Sequence, residues 1–527
     1  MSIQLVRSDV VVVGAGCAGM IAALEAAKKS ARVLLLDRGG IGVGTNSAIS
    51  NGIFAGPSSA YSVEEYIADT LLAGKGLNRK PSVNMIADRA LEAFSLLSSC
   101  GVEFAAFRGG YAVKSESNNM IRGLTLVKRL ASTLKNSASI ESLPRFYVTE
   151  IISRDGSVSG VSGYDSNGRW TEVQAPAVIL ATGGAGALYL HNDNQRNIMG
   201  QGYYLAAKAG LRLWDMEFVQ FYPLVLSQRG APSLLVYPPY PREARILNSS
   251  GEDILVKHRI GDPNEAIESR RDSFSAVLYE EGLQGPVTLD YTGVPASLYS
   301  KRPFSLLPQR KIDLARRPFA VSPAAHFFMG GVEIDENGET TLGGLFACGE
   351  IVWGFHGANR MRGNALTECA VTGIIAGRGA AEHASTKNGI VHKGVEKVAS
   401  GIFKSSPEGI DLRSARQLLR DIAWKHAGVV RSEEGLSDGI RRVSELQKRI
   451  SEIVPCNSRD VAKLEDLKSG IFTLQAILET SILREESRGA FIRYDYGKTD
   501  DDKWRKNSCV TYNSQDHVFS VGFIEFP

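Results

Sequence analysis

The sequence predicts an α/β fold: a Rossmann-like nucleotide-binding domain, an inserted α+β domain (a capping domain in the family resembled below) and a C-terminal helical domain. Three observations predict it. A strand–glycine–helix–strand unit opens the chain, two later buried strands end on glycines at Gly183 and Gly349, and a proline-rich stretch separates those two returns. At 527 residues the chain is too long for a single hydrophobic core, so several domains are expected.

The elements follow in order. Val10-Val11-Val12-Val13 is a run of β-branched residues that reads as a buried strand, Met20–Lys29 is alanine-rich and helical, and Arg32–Leu36 is a second strand ending on Asp37. Between the first strand and the helix stand Gly14, Gly16 and Gly19. The first glycine permits the tight turn, the second lets backbone approach a pyrophosphate, and the third lets helix and strand pack closely. The helix N-terminus then directs its N–H groups at the phosphates. Asp37 lies eighteen residues beyond Gly19, where a carboxylate accepts hydrogen bonds from an adenosine ribose. A glycine turn alone is weak evidence; this one sits between a strand and a helix, with the acid in place.

Helical patterns follow at Ser62–Ala73 and Pro81–Cys100. Short strands are expected between Phe146 and Gly163, with turns at Asp155-Gly156 and Asn167-Gly168. Ala177–Ala181 is another buried strand, closed by Thr182, Gly183 and Gly184. From about Arg229, Pro232, Pro238, Pro239 and Pro241 break the pattern, and mixed short elements run to about Pro323. Phe346-Ala347-Cys348-Gly349-Glu350 restores the strand–glycine style, and beyond Lys387 the chain turns helical and charged, as in Leu412–His426 and Ser432–Glu452. One fingerprint with two later strand–glycine returns implies a large cofactor wrapped by discontinuous segments, FAD rather than NAD. The expected division is 1–228 with 327–386 for the FAD-binding domain, 229–326 for the capping domain and 387–527 for the C-terminal helical domain and tail.

Composition narrows the function. A formal net charge of +3 argues against a nucleic-acid binder. No two of Cys17, Cys100, Cys348, Cys369, Cys456 and Cys509 form a CxxC, so no metal ion or iron–sulfur cluster is expected in this chain. Scattered thiols, an N-terminal apolar run broken by Glu25 and Lys28, and no stretch apolar enough for a membrane span point to a cytoplasmic protein.

Six further stretches carry a resemblance: Asp215–Phe221, His326–Gly331, His356–Arg360, Gly363–Leu366, Gly428–Arg431 and Glu486–Ala490. In these, in their order, the chain resembles the flavoprotein family of succinate dehydrogenase, fumarate reductase and L-aspartate oxidase, over nearly its whole length. The resemblance implies that Asn46, Ser47, Thr182, Gly183, Gly184, Glu350, Asn364, Ala365 and Leu366 join the glycine fingerprint and Asp37 in holding the flavin. It also implies that His326 and Arg360 clamp a substrate carboxylate, a task suited to the planar guanidinium fork. Arg271, in Arg271-Asp272, matches the family's proton donor, with Arg270 as an adjacent competitor.

The chain departs from the family at three places. Tyr222 stands where the dicarboxylate enzymes have histidine, Tyr237-Pro238 where they have Thr-Glu, and Asn192-Asp193-Asn194 replaces an Asn-Pro-type loop. Arg242 and Arg245 are candidates to fill the vacated position. The first histidine is His191, so the loop around Thr45, Asn46 and Ser47 cannot attach FAD through histidine, and non-covalent FAD is expected. The expected activity is hydride transfer between flavin N5 and a carbon–carbon bond beside a carboxylate, as an enoate reductase or the reverse dehydrogenase, rather than a standard fumarate/succinate enzyme. The alternatives are an amino-acid oxidase of the L-aspartate oxidase type and a flavin electron-transfer subunit of an iron–sulfur complex. Electrons come from such an iron–sulfur partner, a diffusible donor or oxygen.

Overall fold

The computed structural model describes residues 4–526 except 116, 118–120, 166, 229–232, 237, 299–315, 388–410, 452, 454, 456 and 457. Arg229, Pro232, Tyr237 and Cys456, singled out above, lie outside the described residues.

Five parallel strands form the central sheet, in the order Leu345–Ala347, Ala177–Leu180, Val10–Val13, Val33–Asp37, Ile140–Pro144. The strand Val10–Val13 is apolar at every position because both its faces are covered. Val10 and Val12 pack with Ile21, Leu130 and Ile374 on one face; Val11 and Val13 pack with Val148, Tyr203 and Leu474 on the other. Strand order runs in both directions from Val10–Val13, which makes it the topological switch point. Val13 lies opposite both Leu36 and Leu180, and Leu180 opposite Ala347. The carboxyl ends are therefore level, and Gly14, Gly183 and Gly349 gather along one edge.

Helix Cys17–Lys28 follows the first glycines, two or three residues earlier than its alanine-rich pattern suggests. It packs against helix Asn364–Thr386, whose glycines make the close approach possible. A Cβ on Gly373 would sit 2.7 Å from the carbonyl oxygen of Ala18, and one on Gly377 would collide with that of Ala22. The strands expected after Phe146 are Tyr147–Arg154 and Ser157–Tyr164, with Asp155 and Gly156 at positive φ in the turn between them.

A second, antiparallel sheet has the order Val219–Leu226, Phe319–Phe328, Val287–Asp290, Arg245–Leu247. It builds its own core from Leu224, Ile246, Phe274, Leu278, Leu289 and Val321. This sheet takes in Val219–Leu226, upstream of the change of texture near residue 229. Its two long strands pair Gln220 with Phe327 and Tyr222 with Ala324, and so carry side chains from two motifs to one place.

Helices Leu412–His426, Glu433–Ser451 and Ser458–Leu483 form the C-terminal bundle. The end of the chain departs from the helical expectation: Asn507–Asn513 and Val518–Ile524 make a hairpin whose first strand pairs with Leu213–Trp214. The alternation of exposed and half-buried residues along Val518–Ile524 is the period-two signal of a strand with one solvated face. Several motif residues serve this junction rather than a cavity. The Arg484 guanidinium donates to Glu217 at 2.8 Å and to Glu486 at 3.0 Å, Arg488 donates to Glu486 at 2.7 Å, and Arg431 donates to the Glu217 carbonyl at 2.8 Å, all buried. Asp215 accepts from Trp353 and Asn507 at 2.6 Å each, and burial together with Glu217 pushes its carboxyl up to about 7.

Candidate active site

A cavity of about 1240 Å³ opens at the carboxyl ends of the central strands and continues under the second sheet. Ordinary small-molecule pockets are ~300–1,000 Å³, so this one has room for a dinucleotide and a second ligand. Two regions line it: the glycine turns with the Asn46 loop, and a cationic cluster between the sheets.

In the first region the glycines divide by what surrounds them. A Cβ on Gly14 (φ +110°) would strike the carbonyl of Ala181, and one on Gly19 would strike that of Gly14, so both are required for packing. A Cβ on Gly16 would meet only Ser47 Oγ, at 3.5 Å, and otherwise open cavity. Helix Cys17–Lys28 has no acidic residue in its first turn, and Ser47 Oγ accepts from the Cys17 N–H at 3.0 Å. Its positive end is left for an anion. Asp37 lines the cavity and accepts from the N–H groups of Ala15 at 2.9 Å and Gly39 at 2.6 Å, while burial raises its carboxyl. Asn46 is oriented by Asn194 at 2.5 Å and Gln195 at 2.9 Å. Thr182, Gly183, Gly184, Glu350, Ala365 and Leu366 line the same wall. Glu350 accepts from the Phe328 N–H at 3.1 Å, and burial pushes its carboxyl up to about 7. Gly19 and Asn364 are the exceptions: neither lines the cavity, and the Asn364 side chain is buried between Tyr66 and Thr70, at 2.9 and 3.2 Å. A glycine cradle that a Cβ would fill, beside a helix N-terminus and a carboxylate, fits FAD.

His326 is the only histidine lining this cavity among the described residues, and it is far in sequence from the Asn46 loop. Acid or detergent denaturation is expected to release all of the flavin into the supernatant, read by its visible absorbance. Flavin retained by the precipitated polypeptide would count against a non-covalent site.

The second region is built on the two long strands of the second sheet and the loop before helix Asn364–Thr386. Arg360 donates to Gln220 Oε1 at 2.8 Å, and its guanidinium lies 4.6 Å over the Phe327 ring. Gln220 in turn donates to Asn359 Oδ1 at 2.7 Å and to the Arg360 carbonyl at 3.0 Å. Arg271, at the start of helix Arg271–Gln284, donates to the same two oxygens at 3.0 and 2.9 Å. Asn359 donates to Asp272 Oδ2 at 2.5 Å. Asn359 thus joins Arg271, Asp272 and Gln220, and Gln220 carries the link on to Arg360. Burial pushes the Arg360 guanidinium down to about 9, helped by Arg271 beside it, lowers Arg271 and raises Asp272. Nε of Arg271, Nε of Arg360 and Oδ1 of Asp272 are buried with no hydrogen-bond partner among the described residues. Such a cluster can accept an anion, because unpaired buried donors are costly and a carboxylate would satisfy them.

His326 faces the cavity from strand Phe319–Phe328, with Nδ1 2.7 Å from Asp193 Oδ2. The Tyr222 ring is 5.6 Å from the His326 ring and lines the cavity with Pro238 and Pro239. Burial pushes the Tyr222 phenol up to about 12, so it stays neutral. The structure therefore brings together His326, Arg360, Arg271 and Tyr222. It does not bring Arg245, which pairs with Asp290 at 2.8 Å, or Arg242; neither lines the cavity. The cation that does line it is Arg362, close enough for its charge to act on Tyr222. Nothing in the sequence marks Arg362 except its place two residues after Arg360. The positioning roles of Gln220 and Asn359 are equally silent there, although both lie inside the motifs given above.

Comparison with known proteins gives the following. The FAD binding domain family model matches residues 9–366, and the model described as fumarate reductase flavoprotein C-term matches residues 416–525. The chain is 33% identical to an L-aspartate oxidase of Agrobacterium fabrum, covering 96% of this chain and 95% of that protein. It is 31% identical to one polypeptide of the fumarate reductase (CoM/CoB) of Methanothermobacter marburgensis, covering 95% of this chain and 96% of that one. Among solved structures, the E. coli quinol fumarate reductase chain superposes with a TM-score of 0.86 at 25% identity, covering 99% of this chain and 97% of that one.

Proposed function

Because the chain belongs to the FAD-binding flavoprotein family that includes fumarate reductases and L-aspartate oxidases, and is an FAD-dependent oxidoreductase, we propose that it moves a hydride between flavin N5 and a carbon–carbon bond beside a carboxylate. The observation that carries this reading is the shared network of Arg360, Gln220, Asn359 and Arg271, with unpaired buried nitrogens, in the cavity that also holds the glycine cradles. Bound FAD supplies the hydride donor or acceptor.

The chain's own residues do the rest. Arg360, locked by Gln220 and Phe327, and His326 hold the substrate carboxylate and favour the negative charge that develops on it during reaction. Arg271 holds the proton for the α-carbon. Burial already weakens its grip on that proton, and Asn359 Oδ1 and the Arg360 carbonyl each accept one hydrogen bond that fixes it. Burial of Arg360 and Arg271 strengthens their interactions with a bound anion. No helix among the described residues is long and apolar enough to cross a membrane, and no group of three or more His, Cys, Asp or Glu among them could hold a metal. Electrons are assigned to a separate donor or acceptor: an iron–sulfur partner, a diffusible molecule or oxygen.

The substrate is proposed to be an extended or aromatic 2-enoate rather than fumarate. Fumarate carries two charges, and each must be matched in a closed site. One carboxylate has Arg360 and His326; the wall beyond is Tyr222, Pro238 and Pro239, where Arg362 near Tyr222 replaces the family's histidine and Thr-Glu pair. A phenol hydrogen bond contributes only ~1 kcal/mol net. With reduced viologen as donor, kcat/KM for the best aryl or alkyl 2-enoate is expected to exceed that for fumarate at least tenfold. Fumarate as the best substrate of the panel would overturn this preference. Release of ammonia from an amino acid, with no enoate reduced, would transfer the site to the oxidase class.

A further inference from the structure

Asp193 sits in the loop that departs from the family pattern, and its carboxylate oxygen is 2.7 Å from Nδ1 of His326. The loop is fixed rather than adaptable. Asn192 donates to the Tyr189 carbonyl at 2.8 Å, Asn194 donates to the Ala325 carbonyl at 2.9 Å, and Asn46 holds Asn194 from the other side at 2.5 Å. Asp193 is thus anchored to the residue next to His326 on its own strand.

A carboxylate only accepts hydrogen bonds, so Nδ1 must donate to it. A neutral imidazole has a single N–H. With that N–H committed to Asp193, Nε2 of the neutral ring presents a lone pair. Nε2 makes no hydrogen bond to protein among the described residues, while the ring lines the cavity. A lone pair facing a substrate carboxylate is repulsive; only the doubly protonated ring can donate to it. We infer that Asp193 fixes the tautomer of His326, so that this site binds a carboxylate together with one proton. The inference rests on the proposed carboxylate clamp and assigns to it a requirement that a histidine without such a partner would not have.

The charges around the ring bear on this. Glu350 and Asp193 act on Arg360, the other half of the clamp, Arg271 and Arg362 act on Tyr222 beside it, and Tyr240 hydrogen-bonds Tyr222. Burial keeps Tyr222 and Tyr240 neutral at ordinary pH, and the Glu350 carboxyl is pushed up to about 7. Glu350 is a second group able to change charge over the working range. An effect of pH must therefore be assigned by substitution at Asp193.

The test uses the flavin-loaded protein and two probes, fumarate and cinnamate, titrated by the change in flavin absorbance from about pH 6 to about pH 9. Proton uptake is measured in parallel from binding enthalpies in buffers of different ionisation heat. In the wild-type protein the dissociation constant is expected to rise about tenfold per pH unit on the alkaline side, with close to one proton taken up per ligand. In Asp193→Asn the side-chain amide can donate to Nδ1 and free the neutral Nε2–H, so the alkaline slope and the proton uptake should largely disappear. His326→Gln, a donor at every pH, should behave likewise. An equal slope in wild type and Asp193→Asn, with Arg360→Ala weakening both probes, would overturn the tautomer inference and leave the clamp standing. Binding that Arg360→Ala does not weaken, or no binding by either probe at any pH, would remove the clamp and the inference with it.

Discussion

Gly16→Val is expected to yield a folded, colourless protein. The backbone at Gly16 has φ −74° and ψ −174°, an extended conformation that valine adopts readily, and the built Cβ meets nothing closer than Ser47 Oγ at 3.5 Å. The protein itself tolerates the side chain; the space that it fills is the cradle at the helix N-terminus. Flavin content, read as the ratio of visible to ultraviolet absorbance, should fall by at least tenfold, and all turnover with it. The control is instructive because its failure differs. Gly19→Ala would drive a methyl into the Gly14 carbonyl, and Gly14→Ala would meet Ala181 with the backbone held at φ +110°. Those two should give insoluble protein instead of clean apoprotein. A folded Gly16→Val variant with a full complement of FAD would show that the phosphates lie elsewhere.

The second large effect is expected at Arg360. Arg360→Ala should retain FAD and lower kcat/KM by about 10²–10³-fold, since the lost donor serves the carboxylate in the ground state and the charge that grows during reaction. Both KM and kcat should move. Arg360→Lys should recover little, because a lysine offers no planar fork and cannot keep the bond to Gln220 while serving a ligand. Melting temperature should change modestly, because Gln220 keeps its bond to Asn359 when the arginine is gone. An unchanged kcat/KM for the best enoate would place the carboxylate away from Arg360.

Much of this is legible in the sequence, for physical reasons that differ from place to place. The first βαβ unit is readable because a fully buried parallel strand needs an unbroken apolar run, and because only glycine fits where Gly14 and Gly19 lie. Leu412–His426 is readable to the residue from its helical pattern, and the structure adds the Asp411 cap at its start. The terminal hairpin is not, since Asn507–Asn513 becomes a strand only by pairing with Leu213–Trp214. Pairing between residues so far apart leaves no local trace beyond a weak alternation. Within the site, motifs supply Arg360, Arg271 and His326, but not what orients them. That Asn359 joins Arg271, Gln220 and Asp272 depends on two sheets meeting. That Asp193 reaches His326 depends on a loop folded against a strand more than a hundred residues away. Asn364 shows the converse: it matches a motif, and its side chain holds Tyr66 and Thr70.

The order of the central sheet also bears on how the yellow protein is made. Its switch-point strand, Val10–Val13, leaves the ribosome early, whereas the edge strand Leu345–Ala347 and the helix Asn364–Thr386 that clasps Cys17–Lys28 are among the later parts. At ~5–20 residues per second, tens of seconds separate the two. Through that interval the phosphate loop has no opposite wall, the Ala177–Leu180 strand has an unpaired edge, and the small-residue face of the first helix has no partner. The complete flavin site therefore cannot form until these late segments have emerged, and until then the nascent chain carries an unpaired strand edge.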